Sequence, residues 1–236
     1  MTRRRWIADE VKGTRAALTG AHAAHLARVL RASVGQEFDI ATGSEVRVGR
    51  VISVHHDRVE FDLGAIVEAP AIRPITVALA VFKFDRFEWA VEKCTELGAT
   101  RIVPILARRT ETHLAAAAPR RVERWRRICY EASQQSRRAA PPEIADPIKL
   151  KQYLASESGS LRIVLSETEQ QTMLREVVRG EQQIVLAVGP EGGWSEDELK
   201  LFEDAGWKTA SLGDTILRAE TAAIAGLAIV AALAGI

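Results

Sequence analysis

The sequence predicts an α/β protein in two parts. A small β-rich domain, a β-barrel by its pattern, covers residues 1–72. A mostly parallel sheet with helices on both faces covers 73–236. Three observations carry this. Short alternating runs fill the first part, separated by turn residues. From Ile75 onward, apolar runs of strand length alternate with stretches of helical periodicity, the pattern of βα units. Between them stands Glu68-Ala69-Pro70-Ala71-Ile72-Arg73-Pro74, whose two prolines suit neither a helix interior nor a central strand.

In the first part, strands are expected at Glu37 to Ala41, Val46 to Val54 and Val59 to Leu63, with turns at Gly43-Ser44 and His56-Asp57. One helix, His22 to Arg31, interrupts them with Leu26, Val29 and Leu30 on one side. In the second part, Ile75 to Val81 is strand-like. Arg86 to Leu97 has apolar residues at 87, 90, 91, 94 and 97, a helix stopped by Gly98. Arg101 to Leu106 is a strand and Arg120 to Arg137 a basic amphipathic helix with Trp125, Ile128 and Cys129 inward. Leu161 to Leu165, Ile184 to Val188 and Lys208 to Leu212 complete the strands.

Composition is that of a globular chain of 236 residues able to bury a core. Its 32 Lys and Arg against 31 Asp and Glu exclude no partner. Distribution is more informative. Arg101 to Arg138 holds ten basic residues against Glu111, Glu123 and Glu131, which fits either a solvated helix face or an RNA-facing surface. Cys94 and Cys129 lack metal-ligand or disulfide-framework spacing. Met1 to Trp6 is basic without an apolar stretch, so no signal peptide is expected. The apolar run Ala222 to Ile236 is shorter than the ~20 residues a bilayer span needs. A reducing cytoplasm is the expected location.

The chemistry concentrates between Ile184 and Ala223. The strand Ile184 to Val188 breaks into Gly189-Pro190-Glu191-Gly192-Gly193, glycines that allow a tight turn and close backbone approach to a ligand. Ser195 then opens a helix, with Glu198 completing a capping box. A second corner follows the strand ending at Leu212: Gly213, then a helix opening near Glu220-Thr221. Neither corner has the Rossmann or Walker spacing, which counts against dinucleotide and NTP enzymes.

This pair of loops, G-P-E-G-G and L-G-D-T-I-L-R-A-E-T-A, resembles the SPOUT class of S-adenosylmethionine-dependent RNA methyltransferases. More narrowly, it resembles the family that methylates N3 of a uridine in 16S ribosomal RNA of the small subunit (RsmE). Other stretches extend the likeness. Val91 to Gly98 matches x-x-K-x-T-E-L-G. Arg124 to Arg138 matches R-W-x-x-I-x-x-E-A-x-x-Q-S-x-R, with Arg137 where a glycine is more usual. His25 to Gly35 matches H-L-x-x-V-L-R-x-x-x-G, and Arg5-Trp6 the family's basic-aromatic start. Where the family often has an Asp-Gly turn, this chain has Ala41-Thr42-Gly43.

The resemblance implies a PUA-like RNA-binding domain over 1–72 and, over 73–236, a C-terminal chain threaded into a trefoil knot that holds S-adenosylmethionine. The donor residues it implies are Leu165, Ser166 and Glu167; Gly189, Pro190, Glu191, Gly192 and Gly193; Leu212, Gly213, Ile216, Leu217, Thr221 and Ala222. A site completed across a homodimer is also implied. Candidate RNA contacts are Arg5, Arg31, Arg121, Arg124, Arg127 and Gln135, with 16S ribosomal RNA in the assembled small subunit as partner.

Methyl transfer to a uracil N3, a weak acid, needs a proton acceptor or a positive charge to stabilise the anion. Glu131 is a candidate base, or else a salt-bridge partner on its own helix. Arg138 and Arg218 are candidate electrostatic partners. No metal is implied, because a sulfonium leaving group is already activated. His25 reads as a structural helix residue. Two rivals stand beside this reading: a non-catalytic RNA-binding protein with a SPOUT-like domain, and a nucleotide-binding enzyme of another α/β fold.

Overall fold

The computed structural model describes residues 4–43, 45–67, 73–158, 161–180 and 183–234. The chain divides into two compact units, Met1–Ala71 with Ser133–Pro141, and Ile72–Ala132 with Pro142–Ile236. Residues 68–72 of the proline-flanked boundary, and the last two of the apolar C-terminal run, lie outside the described residues.

The first unit is a six-stranded sheet of β1 (Arg5–Ile7), β2 (Glu10–Lys12), β3 (Arg15–Thr19), β4 (Glu37–Ala41), β5 (Val46–Val54) and β6 (Arg58–Ile66). Their order is β1-β4-β5-β6-β3-β2. The strands β1 and β2 are adjacent in sequence yet stand at opposite ends of this order, so the sheet must curl back on itself. That makes the unit barrel-like. Trp6, Leu18, Leu26, Phe38, Ile40 and Phe61 fill its interior. Opposite Phe38 on β5 stands Gly49, where Ile40 occupies the space a Cβ would need.

The helix expected at His22 to Arg31 starts earlier, as α1 (Gly20–Ala24), and widens into a π-helical turn at His25–Val29. Leu30 and Ala32 donate their N–H groups back to His25 and Leu26 at 3.2 and 3.1 Å. Arg31 between them takes φ 52°, the left-handed conformation that costs a side chain about 1–2 kcal/mol. His25 packs by its ring against Trp6, with centroids 6.0 Å apart, a structural role. Ser133–Pro141 groups with this unit because Gln134 pins β1: its side chain accepts from the Ile7 N–H at 3.0 Å and donates to the Ile7 carbonyl at 3.2 Å.

The second unit is an all-parallel sheet. Its strands are β7 (Ile75–Ala80), β8 (Arg101–Leu106), β9 (Glu143–Ile144), β10 (Ile148–Lys149), β11 (Leu161–Leu165), β12 (Ile184–Val188) and β13 (Lys208–Ala210). They run β10-β8-β7-β12-β11-β13, with β9 also on β8. The helices are α2 (Phe84–Glu96), α3 (Thr112–Ala117), α4 (Val122–Gln135), α5 (Leu150–Ser156), α6 (Leu174–Val177), α7 (Glu196–Asp204) and α8 (Ala219–Ala234). Alternation along β7 sends Ile75, Val77 and Leu79 into one core with residues of α2, α4 and α8, and Ala78 and Ala80 into another with α5 and α7. Both faces are covered, as the continuous apolar strands require.

Several expected boundaries shift: β6 runs on to Ile66 and α2 starts at Phe84. The helix expected at Arg120 to Arg137 begins as a 3-10 turn, Ala118–Arg121, and α4 ends at Gln135 because Arg137 is left-handed, φ 59°. The strand expected to reach Leu212 ends at Ala210; Ser211 bridges to Met173 instead. From edge strand β13 the chain returns to α8, which packs on β12 and β7 and against α2 and α6.

Candidate functional site

A cleft opens where β11, β12 and β13 end, at the carboxyl edge of the parallel sheet, where open α/β sheets bind ligands. Its walls come from Leu165 to Glu167, from Val188 to Trp194 apart from Gly192, and from Ser211 to Leu217 with Ala219 and Ala222. Twelve of the fourteen donor residues expected from the sequence lie on it. Gly192 and Thr221 do not. Val188, Trp194, Ser211, Asp214, Thr215 and Ala219 line it as well; Asp214, Thr215 and Ala219 stand inside the second signature loop but were not among the expected contacts.

Local chemistry fixes each wall. After β11, the Thr168 N–H bonds the Ser166 hydroxyl at 3.2 Å, and the two hydroxyls lie 2.8 Å apart. The carboxylate of Glu169 accepts the N–H groups of Gln171 and Thr172, which hold its pKa below the ordinary value. After β12, Pro190 to Gly193 form a tight turn closed by the Gly193 N–H to the Pro190 carbonyl at 2.8 Å. Ser195 then caps α7: its hydroxyl accepts the Glu198 N–H at 3.3 Å, and Glu198 accepts the Ser195 N–H at 2.9 Å. After β13, the Gly213 N–H bonds the Ser211 hydroxyl at 3.2 Å, and Gly213 has φ 136°.

The turn's glycines are also packed within the protein. A Cβ on Gly192 would stand 3.2 Å from Cδ of Arg109; on Gly189 it would meet the Trp194 indole at 3.3 Å. Gly193 is the most constrained, with φ 68° and the Glu167 carboxylate in the space a Cβ would take.

The cleft's charge has one sign. Glu167, Glu191 and Asp214 line it, and among the described residues no Lys, Arg or His does. Leu165, Val188, Leu212, Ile216 and Leu217 supply apolar surface, with Ile216 85% exposed. Such a cleft suits a ligand with an apolar body and net positive charge, and opposes phosphates. Among the described residues no cluster of His, Cys, Asp and Glu could hold a metal ion.

The candidate catalytic residues fall on different elements of the chain. Arg218 is exposed between two lining residues, without an ion pair among the described residues. Glu131 is exposed on α4. Arg138 belongs to the first unit, where its Nε donates to the Ala140 carbonyl at 3.2 Å. The candidate RNA contacts divide by their partners. Arg121 lies over the Phe84 ring at 4.6 Å and 3.3 Å from Glu88, and Arg124 pairs with the same Glu88 at 2.8 Å. Arg5 donates to the Arg137 carbonyl at 2.7 Å and lies 3.9 Å from Asp39. Arg31 and Arg127 have no ion pair among the described residues, and Gln135 is exposed.

Residues 68–231 match the family model of the RNA methyltransferase domain. The chain is 35% identical over 223 residues to ribosomal RNA small subunit methyltransferase E of Synechocystis sp., covering 92% of this chain and 72% of that relative. It is 31% identical over 216 residues to the protein of that name in Rickettsia conorii, covering 88% and 85%. The crystal structure of a ribosomal RNA small subunit methyltransferase E from Neisseria gonorrhoeae bound to S-adenosyl methionine superposes with a TM-score of 0.83 at 26% identity, covering 97% of this chain and 96% of that one. With its two signature loops forming one cleft, the chain belongs to the ribosomal RNA small subunit methyltransferase E family of RNA methyltransferases.

Proposed function

We propose that this protein methylates N3 of a specific uridine in 16S ribosomal RNA, drawing the methyl group from S-adenosylmethionine held in the cleft. The observation that carries the donor's identity is the cleft's lining: apolar side chains, tight-turn backbone and, as its charged groups among the described residues, carboxylates. The donor combines an uncharged nucleoside, whose flat base suits apolar walls, with a sulfonium and an ammonium group, one charge more than its carboxylate cancels. A dinucleotide or nucleoside triphosphate would bring phosphates against Glu167, Glu191 and Asp214. Bound there, the donor supplies an electrophilic methyl on sulfur. The protein's part is to orient it through Leu165 to Glu167, Gly189 to Gly193 and Leu212 to Ala222, and to exclude water.

Glu131 is the candidate acceptor of the N3 proton, and Arg138 and Arg218 the cations that stabilise the anion forming on the base. The first unit, PUA-like in this reading, grips the RNA with Arg5, Arg31 and the end of α4 at Gln135. The C-terminal chain, returning from edge strand β13 to α8, is threaded as a trefoil knot of the SPOUT kind. The protein works in the cytoplasm as a homodimer. The support for the dimer is α8, which carries no charge after Glu220 and leaves Leu233 44% exposed.

The test is methyl transfer from labelled donor to small subunits lacking the modification, with the product mapped by mass spectrometry. Transfer to a uridine N3 is expected. Donor binding by calorimetry without transfer to any ribosomal RNA would sink the substrate; no donor binding at all would favour a non-catalytic RNA-binding protein. For the dimer, Arg138→Ala and Gly193→Val should each be inactive and regain part of the activity when mixed under subunit exchange. A fully active monomer in light scattering would rule the dimer out.

A further inference from the structure

The loop after β8, Ala107 to Thr110, is a turn held from several sides. The Thr110 N–H bonds the Ala107 carbonyl at 3.1 Å, and the Ala107 N–H bonds the Thr110 hydroxyl at 3.3 Å. That hydroxyl donates to the Val81 carbonyl at 2.9 Å. The Arg108 N–H donates at 2.7 Å to Glu198, the buried carboxylate that also caps α7. What this fixed turn presents is Arg109. Its side chain is exposed and has no ion pair among the described residues. Its Nη1 donates to the Gly192 carbonyl and, at 3.3 Å, to the Trp194 carbonyl. Its aliphatic stem fills the space above Gly192.

We infer that Arg109 is a positioning residue for the cleft, locking the Gly189 to Trp194 turn in the shape that receives the ligand. A peptide unit is rigid, so fixing its carbonyl and its N–H fixes the plane. The unit joining Gly192 to Gly193 has its carbonyl on Arg109 and its N–H on the Pro190 carbonyl. The unit joining Trp194 to Ser195 has its carbonyl on Arg109 and its N–H on Glu198. One guanidinium therefore completes two planes that flank Gly193 and Trp194, both of which line the cleft. Both carbonyls are turned to the arginine, and a charged donor holds them more strongly than a neutral one. This role rests on the reading of the cleft as the donor site. It also gives Arg109 a use other than RNA contact, although it stands in the basic run.

The variants that test it are Arg109→Met, which keeps the stem and removes the donors, and Arg109→Lys, which keeps the charge one atom short. Hydrogen exchange of the unliganded protein should show faster exchange across 189–195 in Arg109→Met and little change elsewhere. Donor affinity by calorimetry should fall about tenfold. The Michaelis constant for donor should rise more than kcat falls, with the melting temperature held, and Arg109→Lys should recover part of the loss. RNA affinity and its salt dependence should stay as in the parent. Unchanged exchange across the turn overturns the inference whatever the donor does, and so does faster exchange with parental donor affinity. A parent protein that binds no donor, while Arg109→Met still loosens the turn, sinks the reading of the cleft and leaves the turn-holding role of Arg109 standing.

Discussion

Gly226 of α8 lies so close to Leu165 of β11 that a Cβ at this position would come within 2.9 Å of the leucine Cδ1, and within 3.1 Å of Cδ2 of Leu186. Leu165 and Leu186 are buried, so neither side chain can swing into solvent. The helix axis thus rests against the sheet where Ser166, next along the chain, enters the cleft. Glycine inside a helix costs about 1 kcal/mol against alanine, and here packing outweighs propensity. Gly226→Ala should gain no stability in urea unfolding, and Gly226→Val should lose about 2 kcal/mol. An alanine variant more stable by the full propensity difference would show that α8 is free to move away from the sheet.

Much of this was legible in the sequence, for reasons that differ by element. The strands Glu37–Ala41, Val46–Val54, Arg101–Leu106, Leu161–Leu165 and Ile184–Val188 fall on their expected residues, because apolar runs bounded by turn residues have one economical reading. The capping box at Ser195 and Glu198 was equally plain, since both partners are local. Less was legible where the partner is remote. The strands β1, β2 and β3 are short and find their register only by pairing across the curled sheet. Arg109 sits 83 residues from Gly192, so no local spacing could associate them. The basic run likewise conceals that Arg121 and Arg124 share Glu88 on a different helix.

Burial sets the alkaline limit of stability. Cys94 is fully enclosed between α2 and α4, and desolvation, with the neighbouring Cys129 adding to it, pushes its thiol up to about 12. In the unfolded chain the thiol ionises near its ordinary value of 9.0, so above that the unfolded state holds fewer protons than the folded one. Stability then falls as pH rises, by about 1.4 kcal/mol per unit for this one group, through the window from about 9 to about 12. Below it the contribution is fully present. Tyr153, raised by burial, acts in the same direction. Urea midpoints of Cys94→Ala should decline less steeply over this range than those of the parent, and thiol reagents at pH 8 should find Cys94 only after unfolding. Parallel declines in parent and variant would assign the alkaline loss to other groups.

Arg31 separates strain from charge. A left-handed conformation on a non-glycine residue is retained here at the end of the π-helical turn, while the guanidinium stays without an ion pair among the described residues. Arg31→Gly should raise stability by about 1 kcal/mol, because glycine adopts φ 52° without steric cost. If the first unit grips RNA through this side chain, the same variant should bind RNA more weakly, with a salt slope smaller by about one. Arg126→Gln is the control, since its guanidinium is paired with Glu123 and Asp146. An Arg31→Gly protein with the parental salt slope would remove Arg31 from the RNA contacts and leave only the gain in stability.

The single-signed cleft makes a prediction about donor and product. Transfer of the methyl group converts a sulfonium into a neutral thioether, so S-adenosylhomocysteine carries one positive charge fewer than the donor. Glu167, Glu191 and Asp214 are all exposed, which limits each to the scale of a surface ion pair, about 0.2–1 kcal/mol. Their effects act on the same charge and should accumulate. Replacing all three by Gln, Gln and Asn keeps the side-chain shapes and should weaken donor binding by about tenfold while changing product affinity much less. The parent should therefore prefer donor to product, and the neutralised variant should lose that preference. Added salt should reproduce the trend, lowering donor affinity more than product affinity as exposed charges are screened. Calorimetric titration of both ligands into both proteins at low and high salt decides it. Equal losses for donor and product would show that the carboxylates hold parts common to both, such as the ribose hydroxyls or the ammonium group, and do not sense the sulfonium.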